Sequence, residues 1–226
     1  MDKEVELLIE GDVVSLIRRQ VLKTVTLDAF TSNMSHSGWS TGVLPVGCRM
    51  AGKSKDGRSF FFVMERPPMM TRVSILRSGD YTVHTGFVQF WLMFPSNGHL
   101  PGLKFVTTTK RPIRSLDDTV YVFPWPNVYR STGAICTGSQ TYSGETREAV
   151  CEDFSRTFFG ANFNFDLTVE FPSYLGGGMD ITRSFNKWAE VSVSNPMVGI
   201  CPDMDYRALS TVSEFVQKVS TETRNV

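Results

Sequence analysis

The chain has no excess of charge of either sign. Twenty-three Lys and Arg balance twenty-three Asp and Glu over 226 residues, so no net field draws the whole molecule onto nucleic acid or an anionic membrane. Long apolar runs are also missing. The longest, such as Phe87–Phe94, stop at about eight residues, against the roughly twenty that a helix needs to cross a bilayer. The first residues, Met1-Asp2-Lys3-Glu4, do not join a basic stretch to an apolar one, so a secretory leader is not expected. Cysteine and histidine are scarce and scattered: Cys48, Cys136, Cys151 and Cys201 include no closely spaced pair, and His36, His84 and His99 do not cluster. That spacing supplies no four-ligand zinc site and, without a leader, no disulfide framework. The expectation is a soluble cytoplasmic protein with no metal, no organic cofactor, no nucleic-acid partner and no membrane association.

What is present is enough apolar bulk for a core. Hydrophobic residues make up 41% and charged ones 20%, with seventeen Phe and four Trp, a globular balance rather than a disordered one. Along the chain, Val5–Leu22 is ambiguous. Val13, Leu16 and Ile17 fall at helical spacing, but Gly11 interrupts the pattern and Val21–Leu27 alternates as a strand does. Residues 32–57 read as loop, with a short strand near Val43–Val46. The tip Lys53–Gly57, ending in Asp56-Gly57, predicts a hairpin into Phe60–Met64. Further strands are expected at Thr71–Leu76, Phe87–Phe94, Leu103–Thr108 and Thr119–Phe123, with His84 in another strand. Turn-rich pieces separate them, which argues for an antiparallel meander rather than βαβ units.

The character changes after Gly138. Glu145–Phe159 places Ala149, Val150, Phe154 and Phe158 near helical spacing, and Gly160 is a natural stop. A second helix is expected over Thr182–Val191 and a third over Asp205–Ser220, where Leu209, Val212, Phe215, Val216 and Val219 recur. Strands first and helices after make an α+β fold. It reads as one domain: an extension over 1–57, a core over 58–195 and a C-terminal helix over 196–226.

The segment that promises chemistry is Tyr121–Gly138, YVFPWPNVYRSTGAICTG. Pro124 and Pro126 remove two backbone donors and fix two φ angles, so the loop is expected to be stiff rather than paired into a sheet. A stiff loop holds a reactive group without a fresh ordering cost at each turnover. Asn127 brings an amide able to tie the loop or to face a developing oxyanion. Gly138, just past Cys136, allows close approach of another backbone.

The run Pro126-Asn127-Val128-Tyr129, followed by Gly133 and then Ile135-Cys136, resembles the active-site loop of ubiquitin-conjugating enzymes. There a histidine-proline-asparagine triplet precedes a glycine-x-isoleucine/valine-cysteine with the catalytic thiol. The bacterial branch known as prokaryotic family D is the most similar, since it pairs a strand and proline with asparagine-valine-tyrosine, glycine, cysteine and glycine. Asp118–Tyr121, Pro67-Pro68 and Phe158-Phe159 look similar to that branch too, and the looser order of elements extends the likeness over about 58–195. The resemblance implies a UBC-like fold, an antiparallel meander flanked by helices, and a transferase. Cys136 would carry a ubiquitin-like protein as a thioester received from a ThiF-type activating enzyme, and Asn127 would stabilise the oxyanion or hold the loop. Trp125 stands where the eukaryotic family has histidine, and with Pro126, Tyr129, Gly133 and Gly138 it would shape the loop. No acidic residue maps to the position that activates the acceptor amine.

Plainer readings stand beside these. A lone cysteine is usually a small buried hydrophobe, and Cys151, mid-helix, fits that role. Cys48 and Cys201 fall in loops with no neighbouring base. Asn127 is also suited to capping its own turn. His84 or His99 beside Cys136 would instead suggest a cysteine hydrolase, and a binding module that keeps the fold without the chemistry is a further alternative. Gly176-Gly177-Gly178 lacks the lysine of a phosphate loop and reads as a crossing loop. Met69-Met70 reads as core, with a partner-binding surface as the lesser reading.

Overall fold

Phe87–Phe94 is too continuously apolar to have one wet face, and such a strand belongs at the centre of a sheet covered on both sides. In the computed structural model, the described residues are 6–10, 13–17, 21–26, 44–54, 57–138, 140–164, 166–167, 171, 175, 180–195 and 206–222. The chain divides into two compact units, 1–44 and 45–226, with the boundary inside the expected extension.

In the first unit, β1 (Glu6–Glu10), β2 (Val13–Ile17) and β3 (Val21–Thr26) form an antiparallel three-stranded sheet. The helical spacing of Val13, Leu16 and Ile17 is therefore overridden. The strand register sets Leu7 opposite Leu16 and Val14 between Ile9 and Val25.

The second unit is mixed α+β and mostly antiparallel. It contains β4 (Cys48–Lys53), β5 (Ser59–Arg66), β6 (Met69–Ile75), β7 (Gly79–Thr85), β8 (Phe87–Pro95), β9 (Leu103–Thr109) and β10 (Thr119–Val122). These are followed by α1 (Arg147–Phe159), β11 (Asn162–Phe163), α2 (Ile181–Ser194), β12 (Ala208–Thr211) and α3 (Val212–Glu222). Six strands, ordered β12-β10-β9-β8-β5-β4, build the main sheet, and β11-β6-β7 build a smaller one. β8 lies between β5 (Met64↔Phe90) and β9 (Phe90↔Val106). Its residues 88–94 are all buried.

Each face of the main sheet has its own helix. On one, Val63, Trp91, Phe105 and Val120 pack against Val212, Phe215 and Val219 of α3. On the other, Phe90 meets Phe154 and Phe158 of α1 edge-on, both at 5.3 Å. Thr146 caps α1 by accepting the Ala149 N–H at 3.2 Å, and Gly160 ends it, as expected. α2 covers β7, where the Trp188 indole N–H donates to the His84 carbonyl at 3.1 Å and Ser192 Oγ accepts the His84 N–H at 2.8 Å.

Glu65, buried within the main sheet, is fully engaged. Glu65 accepts from Arg49 Nε at 2.7 Å, Gln89 Nε2 at 3.2 Å and the Ile113 N–H at 2.9 Å, as a buried carboxylate must. Asp118 sets the turn into β10. Burial disfavours its charge, but the N–H groups of Arg114 and Ser115 and the Arg111 guanidinium outweigh that and hold its carboxyl below the ordinary value.

Four expectations need correction. The strand placed at Val43–Val46 lies instead at Cys48–Lys53, after a turn in which Gly47 takes φ +83° and Val46 is 87% exposed. Cys48 accordingly opens a strand rather than sitting in a loop. Met69 and Met70 are exposed at 44% and 42%, not core. The third helix begins at Val212, because residues 208–211 are drawn out to pair with β10 (Thr119↔Thr211) and satisfy its edge. Cys201, Asp205 and Gly176–Gly178 lie outside the described residues.

Candidate functional site

β10 leaves the edge of β9 after Val122↔Thr107. The chain makes an excursion and returns to the same edge nearer the start of β9, where Phe105 pairs with Ala134. There the Val106 N–H donates to the Gly133 carbonyl at 2.8 Å and the Ile135 N–H to the Lys104 carbonyl at 2.9 Å. The excursion is itself a narrow hairpin. The Tyr129 N–H donates to Ala134 O at 2.8 Å, the Gly133 N–H to Tyr129 O at 2.7 Å, and Val128 is bridged to Ile135. The loop expected to be free of pairing is thus pinned by backbone hydrogen bonds on both sides, because carbonyls and N–H groups brought this far inside need partners.

Its entry is fixed by packing. Pro124, Trp125 and Pro126 are buried. The Trp125 ring stacks on Phe123 at 5.1 Å and meets Phe159 (5.2 Å), Phe163 (5.8 Å), Phe185 (6.0 Å) and Trp188 (5.9 Å) nearly edge-on. Among the described residues its indole N–H has no hydrogen-bond partner. An orphaned donor costs about 1–3 kcal/mol, whereas each aromatic pair contributes about 0.5–1.5 kcal/mol, so the four edge contacts together outweigh it. The converging rings make Trp125 the anchor of the loop's entry.

Asn127 follows with φ +60°, a left-handed geometry that asparagine tolerates better than most side chains. Its carbonyl accepts the Cys136 N–H at 2.8 Å, so backbone geometry holds the two residues side by side. Its side-chain Oδ1 accepts the Asn164 N–H at 3.4 Å. Because that partner is a donor, the oxygen end of the amide is the tied one, and the NH2 end remains as a donor. Cys136 is exposed.

The other sequence-selected residues serve the loop at a distance. Tyr129 is exposed at the turn of the hairpin, and Gly138 (φ +52°) has no described residue within 4 Å of where a side chain would begin. Gly133 is required: with φ +75°, a Cβ there would stand 2.8 Å from the Val106 carbonyl oxygen. Gly133→Ala is expected to lower stability by about 1–3 kcal/mol, read as a reduced urea midpoint with an unchanged slope.

The remaining cysteines are set apart by burial. Desolvation pushes the Cys48 thiol up despite hydrogen bonds with the Met50 and Val63 backbone. Cys151, 2% exposed, is pushed up further by burial and then by nearby Cys48, Glu148 and Glu152, as the packing role anticipates. No histidine hydrogen-bonds the Cys136 thiol among the described residues. His84 is buried against α2, and His99 is exposed in the turn after β8. No group of three or more potential metal ligands occurs, and no helix is long and apolar enough to cross a membrane, among the described residues.

Sequence reasoning missed Asn164, which ties the Asn127 amide, and Lys104, whose carbonyl holds Ile135. Half-buried Lys104 has its ammonium pKa lowered by desolvation and sits 5.6 Å from the Tyr142 ring centre. Neither residue has a local signal, since both meet the loop through tertiary pairing. Comparison with known proteins returns no match to a family model, a curated protein or a solved structure.

Proposed function

We propose that this protein is a transferase of the ubiquitin-conjugating type, with a UBC-like fold, that carries a ubiquitin-like protein as a thioester on Cys136. The supporting observation is that the backbone of exposed Cys136 is held beside Asn127 by the 2.8 Å bond, with the Asn127 amide NH2 left as a donor. The Cys136 thiolate attacks the thioester carbonyl on a ThiF-type activating enzyme, and the tetrahedral intermediate expels the donor thiolate. An acceptor amine then attacks the new thioester, loses its proton to water or buffer, and releases Cys136 as thiolate. Both steps pass through an oxyanion, which the Asn127 amide is suited to stabilise. Nucleotide is consumed by the activating enzyme, and no cofactor acts on this chain.

Incubation with the activating enzyme, the ubiquitin-like protein and ATP separates this reading from its rivals. A thiol-sensitive adduct supports conjugation, absence of any adduct supports a binding module, and cleavage of a preformed conjugate supports a cysteine hydrolase. Asn127→Gly removes the amide while keeping the φ +60° backbone comfortable. It is expected to slow discharge onto an amine by about 10²–10³ while loading changes far less. Loading and discharge falling together would assign the amide to loop shaping alone.

A further inference from the structure

An open groove of about 500 Å³ runs between the start of β6 and the C-terminal half of α1. Its walls include Arg66, Met70, Arg72, Glu152, Arg156 and Phe159. Two of the three arginines are already satisfied. Arg72 donates to Asp80 at 2.5 Å, and Arg156 is paired with Asp153. Arg66 is different. Its guanidinium lies 4.2 Å from the centre of the Phe159 ring, and its Nη1 is sealed from solvent with no acceptor among the described residues. Burial draws its pKa down to about 10, which leaves it charged at neutral pH while marking the hydration it has lost. With Nη1 closed off, the Nε and Nη2 edge of this half-dehydrated guanidinium, which lines the groove, is the part able to meet an incoming planar anion.

The rest of the lining narrows the ligand. Arg72 and Arg156 each already hold an acid at the surface, so Arg66 is the guanidinium of the lining without a carboxylate of its own, and the exposed Glu152 also borders the groove. A phosphate dianion would meet repulsion from Glu152. A monoanion carrying an amide N–H has a partner for each. Half-exposed Met70 and the Phe159 ring offer apolar surface beside the cation, Met being adaptable to varied side chains.

We propose that this groove binds the C-terminal carboxylate of a peptide segment with an apolar last residue. The carboxylate lies on Arg66, the apolar side chain on Met70 and Phe159, and the backbone N–H toward Glu152. The proposal does not rest on the reading of Cys136.

The test titrates acetyl-leucyl-leucine, its C-terminal amide and inorganic phosphate separately into the full chain, followed by calorimetry. The acid is expected to saturate, with the amide and phosphate each weaker by roughly tenfold or more, the usual worth of a charge-assisted hydrogen bond. Arg66→Gln should weaken the acid by a similar factor and leave the amide unchanged. Met70→Glu, at an exposed position that folding tolerates, should also weaken the acid by placing a like charge beside it. Absence of saturable binding of the acid, equal binding of acid and amide, phosphate binding as tight as the acid, or unchanged affinity in Met70→Glu would each overturn the proposal.

Discussion

Cys136→Ala is expected to abolish the reductant-sensitive adduct while leaving the urea midpoint near that of the native chain. The side chain is exposed, so its truncation leaves no cavity, and surface changes away from special geometry usually stay within about 0.5 kcal/mol. The Cys136 N–H that bonds to Asn127 is backbone and survives the substitution. Cys136→Ser separates chemistry from fold further. A hydroxyl is the weaker nucleophile, but the ester it forms resists thiols and amines, so a slow, reductant-resistant adduct should accumulate. Cys48→Ala and Cys151→Ala should each retain a reductant-sensitive adduct, since burial keeps both thiols protonated. Cys201→Ala is expected to do the same. Loading by Cys136→Ala at the native rate would remove the basis of the functional reading.

Phe215→Ala should produce the largest loss of stability, about 3–5 kcal/mol, against a total of about 5–15 kcal/mol for a typical domain. Phe215 is 1% exposed and meets Trp91 at 4.7 Å and Phe105 at 5.8 Å. It is the central contact between α3 and its face of the sheet. Urea unfolding followed by tryptophan emission checks it, because Trp91 borders the cavity. Per folded molecule, adduct formation on Cys136 should be unchanged, which distinguishes lost packing from lost chemistry. A loss below about 1 kcal/mol would mean that the site collapses around the missing ring.

Elements whose signal is local were legible in the sequence. The apolar run at 87–94 marks the central strand, Gly57 and Gly79 close hairpins with positive φ, and Thr146 and Gly160 bound α1 much as the pattern of Glu145–Phe159 indicates. One local signal went unread. Thr211 and Glu214 form a capping box, the Thr211 hydroxyl accepting the Glu214 N–H at 3.2 Å and the Glu214 carboxylate the Thr211 N–H at 2.9 Å. That spacing marks a helix start just after Thr211, whereas apolar periodicity alone carried the expected helix back to Asp205. Features made by distant residues were not legible. Leu16 and Ile17 satisfy helical and strand periods alike until a partner strand exists, and nothing near Met69 and Met70 says that they lie open.

The candidate site divides the same way. The proximity of Asn127 and Cys136 follows from a short hairpin whose ends the motif names. The hydrogen bond that orients the Asn127 amide comes from Asn164, beyond α1, and the edge that receives Ala134 and Ile135 belongs to β9. Trp125 could be recognised as a departure from the histidine of the family it resembles, but its role as an anchor requires Phe159, Phe163, Phe185 and Trp188 to converge.

The cover of the main sheet has a consequence for how the chain is made. Synthesis proceeds from the N-terminus, so β5, β8, β9 and β10 leave the ribosome well before β12 and α3. Their antiparallel neighbours are close in sequence and can pair as they emerge, but Val63, Trp91, Phe105 and Val120 must wait for Val212, Phe215 and Val219. Closing so long a loop adds little to the equilibrium, about 0.6 kcal/mol for each doubling of length. The delay is instead a matter of exposure during translation. A nascent chain stalled before residue 206 presents an apolar stripe and the uncovered edge of β10, the surface that chaperones hold and that aggregation recruits.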